Sequence, residues 1–225
     1  MKEHENSKPY CAVSGAAHDE RFSKLSPLKD ALHLFVRMVL EDELPEDTKM
    51  LVVGAGTGPE LIYLAEVFPK WNFTAVEPDK RMLETCRKKC EESNILPRCT
   101  FHDGTLETLP GSELFSSATS ILVSHFLPSR EERCIFYRGI ASRLVSNGLL
   151  VSADLISQVP LDDSTSLLEI WTRTMKYANA PVPPRVPAIT PQEMGSIVES
   201  GGFEAPTYFY QALLIHAWFA RRCVN

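Results

Sequence analysis

The sequence has no long apolar run. Its most apolar late stretch, Ala212 to Ala220, falls far short of the ~20 residues that a membrane-crossing helix needs. It has no basic excess either: 23 Lys+Arg stand against 29 Asp+Glu, for a net charge of −6 and a pI near 5.6. A generic DNA or RNA binder needs a cationic face, so direct nucleic-acid binding is not expected. No CxxC or HxxxH pair is present. The six cysteines (Cys11, Cys86, Cys90, Cys99, Cys134, Cys223) therefore complete no four-ligand zinc set, and no metal is expected. In a chain of 225 residues they also make no disulfide scaffold, which points to free thiols in a reducing, cytoplasmic compartment. Met1 to Val13 lacks the apolar segment of a secretory signal. Internal repeats are absent, and compositional bias is confined to the prolines at 181, 183, 184, 187 and 191.

What is present is ordinary globular chemistry, with 44% hydrophobic and 23% charged residues. Residues 1–17 show no periodicity and read as a loose arm. From Pro27 to Leu44, apolar residues recur at helical spacing and stop before Pro45. Strands are expected at Met50–Val53, Asn72–Val76, Cys99–Phe101, Ser120–Val123 and Leu149–Ala153. Helices are expected between them: one opening after Gly58, one from Asp79 (as N-cap) to Ser93, and one from Ser129 to Leu144. The last of these starts with the capping box Ser129-Arg-Glu-Glu132. Such alternation predicts a doubly wound, mostly parallel α/β sheet. The pattern then changes, with a helix over 164–178, a proline-stiffened segment, and a helix capped by Thr190-Pro-Gln-Glu193. The runs 205–210 and 213–219 follow, and the short link between them permits only an antiparallel hairpin. The division expected is an arm and cap helix over 1–44, then a domain over 45–225 carrying an insertion at about 160–190.

Three features lie at the carboxyl ends of successive strands, where open α/β sheets bind ligands. Gly54-Ala55-Gly56-Thr57-Gly58 joins a strand to a helix, and glycines there let the backbone turn tightly and approach a ligand with N–H groups exposed. The dinucleotide fingerprint wants its third glycine at position 59, which is Pro59, so the spacing counts against NAD. Glu77, past the second strand, can accept two hydrogen bonds from ribose hydroxyls, or it can be a solvated loop acid. Asp103-Gly104-Thr105 follows the third strand, where a carboxylate can accept from an exocyclic amine.

Together, Leu51-Val-Val-Gly54-Ala-Gly-Thr-Gly58, Val76-Glu77-Pro78-Asp79, His102-Asp103-Gly104-Thr105 and Ser124-His125-Phe126-Leu127 resemble the class I S-adenosylmethionine-dependent methyltransferase family. The closing hairpin is similar too. The resemblance covers roughly residues 45–222 and implies a seven-stranded Rossmann-like sheet, S-adenosyl-L-methionine as cofactor, and methyl transfer to a small-molecule acceptor. It also implies that Gly54, Ala55, Gly56 and Gly58 cradle the methionine part and that Glu77, with Pro78, meets the ribose. Asp103, Gly104 and Thr105 would flank the adenine, with Ser124 and His125 near the sulfonium. His125 is then either a general base or a histidine bonded behind the cofactor, and His18 is a second, weaker base. Trp171, Met175 and Tyr177 either line an acceptor pocket or are plain core. The C-terminal half, through Gly202-Phe203 and the aromatic hairpin, is also similar to the carboxy-S-adenosylmethionine synthase branch linked to tRNA modification. In that branch Arg185 would be the carboxylate ligand. A methyltransferase-like domain that binds without catalysis is the remaining alternative.

Overall fold

The computed structural model describes residues 15–156, 161–180 and 189–224. Helices α1 (Gly15–Phe22) and α2 (Ser26–Glu43) precede β1 (Lys49–Val53), α3 (Pro59–Val67), β2 (Asn72–Glu77), α4 (Lys80–Glu92) and β3 (Cys99–Asp103). Then come β4 (Phe115–Ile121), α5 (Arg130–Ser142), β5 (Leu144–Leu155), α6 (Leu161–Ala178), α7 (Pro191–Ser200), β6 (Thr207–Ala212) and β7 (Ile215–Arg221). The seven strands form one sheet in the order β3-β2-β1-β4-β5-β7-β6. The first five run parallel, and β7 lies antiparallel between β5 and β6. The doubly wound sheet and its antiparallel closing hairpin are as the alternation implies.

Alternation of side chains across the pleat explains why helices cover both faces. Met50 and Val52 of β1, with Leu149, Val151 and Ala153 of β5, point into one core layer beneath α2, α3, α4 and α6. Leu51, Val53 and Leu150 point into the other, beneath α5 and α7. Leu32, Val36 and Leu40 of α2 are fully buried in the first layer. Local chemistry sets the helix ends. Asp79 caps α4 by accepting from the Arg81 N–H at 3.0 Å, and the capping boxes at Ser129/Glu132 and Thr190/Glu193 are both formed. Arg98 donates to the carbonyls of Ala65 (2.7 Å), Trp71 (2.9 Å) and Phe68 (3.1 Å), placing a cation at the negative end of α3.

Several sequence expectations need correction. Gly15–Phe22 is a helix, so residues 15–17 are not loose; residues 1–14 lie outside the described residues. The fourth strand is Phe115–Ile121, not 120–123. Its Ser and Thr residues hide it from an apolar scan, and Leu122, at φ 59°, ends it in the left-handed region. Strand β5 begins at Leu144, where the preceding helix was expected to end, because Asn147 (φ 61°) turns within the strand and does not precede it. Strands β2 and β3 each run on to an acid, so Glu77 and Asp103 become register neighbours. Trp171 and Met175 belong to the core, at 5% and 3% exposure, whereas Tyr177 is 70% exposed with Lys24 Nζ 5.2 Å above its ring. Tyr177 therefore faces solvent. Cys86 and Cys90 are buried free thiols, and no group of three ligands that could hold a metal occurs among the described residues. None of the described helices is long and apolar enough to cross a membrane.

Two outcomes follow from this packing. Trp171→Ala should cost about 3–5 kcal/mol, the usual range for emptying a buried aromatic site, read as a lower midpoint in denaturant. His33 on α2 is buried against Tyr63 (rings 5.9 Å apart), and burial, reinforced by the Lys29 charge, pushes its pKa from 6.5 down to about 4. A depressed pKa stabilises the fold above the unfolded value, and that stability is lost as pH falls from about 6.5 through about 4. The full loss is on the order of 3 kcal/mol. The melting temperature should therefore fall more steeply over that window in the native chain than in His33→Leu; equal slopes would mean His33 is protonated in the fold.

Candidate functional site

The glycine loop between β1 and α3 is tied to the end of β2. Gly54 N–H (2.8 Å) and Ala55 N–H (3.1 Å) both donate to the Val76 carbonyl, and Gly56 N–H donates to Glu77 Oε2 at 2.9 Å. The other Glu77 oxygen accepts from Asp79 N–H at 2.9 Å. Burial raises the Glu77 pKa, while those N–H groups and the nearby His18 work the other way. Gly58 (φ 81°) caps α3 in the left-handed region, and a Cβ there would collide with the Cys86 sulfur beneath it. Gly56 (φ 56°) differs: a Cβ there would meet nothing within 4 Å. The loop is packed underneath and open above, which is the shape of a cradle.

Beside it, Gly104 N–H donates to the Glu77 carbonyl at 3.2 Å, and the Asp103 and Thr105 side chains are exposed with Pro78 at the same sheet edge. Thr105 caps a short 3-10 turn, its N–H donating to Thr108 Oγ1 at 3.1 Å. Helix α1 closes one flank. Asp19 accepts from the Thr57 hydroxyl at 2.7 Å and pairs with Lys89 of α4, which ties α1 to the loop. Against the cost of partial burial, His18, Lys89 and Thr57 hold Asp19 well below the usual carboxylate range.

On the β4–β5 side, Val123 packs beneath Gly54, and the next residues form a 3-10 turn. There His125 Nδ1 lies 2.7 Å from Asp154 Oδ1, with side chains only 9% and 1% exposed. Ser124, fully buried, donates to Asp154 Oδ2, and the Tyr137 hydroxyl donates to Ser124 Oγ at 3.3 Å. The Leu155 N–H adds a 2.8 Å bond to Asp154 Oδ1. Burial and the Asp154 charge push the Tyr137 phenol upward, so it remains a donor. Asp154 is thus held on both oxygens and in turn holds one nitrogen of His125.

The structure therefore gathers Gly54, Ala55, Gly56, Gly58, Glu77, Pro78, Asp103, Gly104 and Thr105 along the ends of β1, β2 and β3, with Ser124 and His125 at the end of β4. The Ser124 hydroxyl is engaged with Asp154. Arg185 lies outside the described residues. Two acids at the candidate site, Asp154 and Asp19, escaped the sequence reading. Asp154 directly follows an expected strand, and the logic that picked out Glu77 and Asp103 applies to it equally. Asp19 sits where no periodicity was visible.

A family model described as a methyltransferase domain matches residues 50–148, from β1 into β5. No curated protein sequence matches the chain. Among solved structures, one from Bordetella parapertussis superposes with a TM-score of 0.68 at 18% identity, covering 86% of this chain and 68% of that one. An O-methyltransferase family 2 protein from Planctomyces limnophilus, in complex with apigenin, gives 0.66 at 14%, covering 96% and 63%. Human N-acetylserotonin methyltransferase, in complex with S-adenosylmethionine, gives 0.64 at 15%, covering 91% and 56%. This chain thus spans between just over half and two-thirds of the length of those three, and identities this low speak to the fold. The open cradle over Gly56 and the strand-end acids fit S-adenosyl-L-methionine as cofactor. In its glycine loop, strand-end acids, sheet order and the segment 50–148 that the family model matches, the chain is similar to class I S-adenosylmethionine-dependent methyltransferases and shares their fold.

Proposed function

We propose that this chain transfers a methyl group to a hydroxyl of a small-molecule acceptor, with His125 as general base. The observation that carries this reading is the His125–Asp154 pair at the carboxyl ends of β4 and β5. A hydroxyl keeps its proton at neutral pH and gains from a base, whereas an acceptor that is already nucleophilic needs only alignment. Support of a weaker kind comes from the apigenin complex of the Planctomyces protein, a small hydroxylated ligand on the same fold.

S-adenosylmethionine, when bound, supplies a methyl group on a cationic sulfur. The chain's part is to align, exclude water and accept a proton. Gly54, Ala55, Gly56 and Gly58 would hold the methionine end, Glu77 the ribose, and Asp103, Gly104 and Thr105 the adenine. Asp154 accepts from Nδ1–H, which fixes the tautomer and leaves the Nε2 lone pair to take the acceptor's proton. The same carboxylate then stabilises the imidazolium that forms. Asp154 is a positioning residue, and Ser124 and Tyr137 position it in turn. His18 stands beside Glu77 on the ribose side and is assigned no proton transfer.

Glu77→Ala removes both the ribose acceptor and the tether of Gly56. Cofactor affinity should fall tenfold or more, since a hydrogen bond to a charged group is worth about 1.5–3 kcal/mol; an unchanged dissociation constant by calorimetry would remove Glu77 from the ribose site. His125→Ala should leave cofactor affinity intact and lower kcat on a weakly acidic phenol by roughly 10²–10⁴-fold. On a phenol acidic enough to be ionised at the assay pH, the loss should be much smaller. Asp154→Asn should lower kcat and shift the pH–rate profile with KM little changed. Equal losses on both phenols would remove His125 from the chemistry.

A further inference from the structure

One buried cation takes no part in the arrangement above. Arg133 lies on α5 one turn before Tyr137, on the same helix face, and is 2% exposed. Its Nε donates to the Leu127 carbonyl at 3.0 Å, which ties it to the turn that carries His125. Among the described residues its two terminal nitrogens have no hydrogen-bond partner, and no carboxylate forms an ion pair with it. Arg133 lines a cleft of about 250 Å³, together with Pro128, Arg130, Ile189, Glu193 and Ile197. The capping acids beside it are engaged elsewhere. Glu132 accepts from the Ser129 N–H (2.9 Å) and hydroxyl (2.7 Å), and Glu193 from the Thr190 N–H (2.8 Å) and hydroxyl (3.1 Å). Arg130, which is exposed and donates to Ser196 Oγ at 3.1 Å, already offsets the Glu193 charge.

A buried acid or histidine can shed its charge, but an arginine stays protonated at every working pH. A buried charge is costly until an opposite charge completes it, and a single carbonyl meets only one of the five guanidinium donors. The planar fork that is left matches the two oxygens of a carboxylate in bidentate fashion. Pro128, Ile189 and Ile197 make much of the cleft wall apolar, so an ion pair formed there is poorly screened by water. The cleft also lies close to the proposed base. Pro128 is three residues from His125, so their Cα atoms are at most roughly 11 Å apart, a span that a small aromatic acid bridges.

We infer that Arg133 receives a carboxylate of the acceptor, so that the molecule methylated is a hydroxy acid with its carboxylate at Arg133 and its hydroxyl at His125. This rests on the reading of the chain as a hydroxyl methyltransferase and names the class of acceptor. Arg133 is a binding and specificity residue and takes no part in proton transfer. Arg133→Met keeps an unbranched side chain of similar reach while removing the charge and every donor.

The test is calorimetry on native protein and Arg133→Met, both saturated with S-adenosylhomocysteine. The ligands are para-hydroxybenzoate, para-hydroxyphenylacetate and para-hydroxycinnamate, each beside its methyl ester; the three acids set the carboxylate at different distances from the hydroxyl. Native protein should bind at least one acid about tenfold or more tighter than its ester, and in Arg133→Met that preference should shrink to nearly none. With S-adenosylmethionine, the same preference should appear in KM for methyl transfer. Equal affinities within all three pairs, or no binding by any of the six, would overturn the inference, as would a preference that survives in Arg133→Met. Tighter binding of para-hydroxyphenyl phosphate than of the acids would overturn the choice of a carboxylate. Acid binding that depends on Arg133 but leads to no methyl transfer would support the carboxylate site and strike instead at the hydroxyl-acceptor reading. Should Arg133→Met fail to fold, as a melting scan would show, Arg133→Lys replaces it. It keeps the charge and loses the fork, so the preference for the acid should fall in part, and an unchanged ratio would overturn the inference.

Discussion

The carboxyl end of β2 holds this site together. One carbonyl, Val76, accepts from two loop N–H groups, and one carboxylate, Glu77, accepts from a third while fixing the start of the α4 turn with its other oxygen. A glycine-rich loop has the largest backbone entropy to lose on ordering, so it needs such ties to remain a cradle. Glu77 therefore shapes the loop as well as presenting an acceptor at its rim. Everything built over the loop depends on that tie: the α3 N-terminus, the α1 flank through Asp19 and Thr57, and the turn through Val123.

The two halves of the site follow different physical rules. At β1, β2 and β3 the groups presented are backbone N–H groups, the half-buried Glu77 and the exposed Asp103, an arrangement suited to a polar ligand that arrives with its own hydrogen-bonding surface. At the carboxyl ends of β4 and β5 four polar side chains are largely buried and bonded to one another. His125, Asp154, Ser124 and Tyr137 form a connected chain of hydrogen bonds, with Ser152 also beside the Tyr137 hydroxyl. Such networks are rigid because breaking one link strands a buried polar atom. Under the proposed role of His125 as base, that rigidity would hold it in one orientation toward an acceptor.

Much of the fold was legible in the linear order, because strand–helix alternation with buried parallel strands leaves few topologies open. The errors were physical ones. Strand β4 was displaced because Ser117, Thr119 and Ser120 are buried despite their polarity. Ser117 manages this by donating to the Leu149 carbonyl. Helix α1 was missed because its stability comes from docking on Thr57, Thr85 and Lys89 and not from an apolar stripe of its own. Trp171 and Met175 could be pocket or core on spacing alone, and burial made them core.

The sequence by itself determined the class of the sheet, the cradle and the strand-end acids Glu77 and Asp103. Each depends on local rules: glycine's access to positive φ, the period of the strands, and the tendency of polar residues to close a buried run. Only the tertiary structure decided that His125 lies against Asp154, that Ser124 and Tyr137 join the same network, and that Glu60 is buried. Those properties come from which groups lose water on folding and which partner they meet when they do. Pairs such as His125 and Asp154 are 29 positions apart and are joined only by the register of β4 against β5.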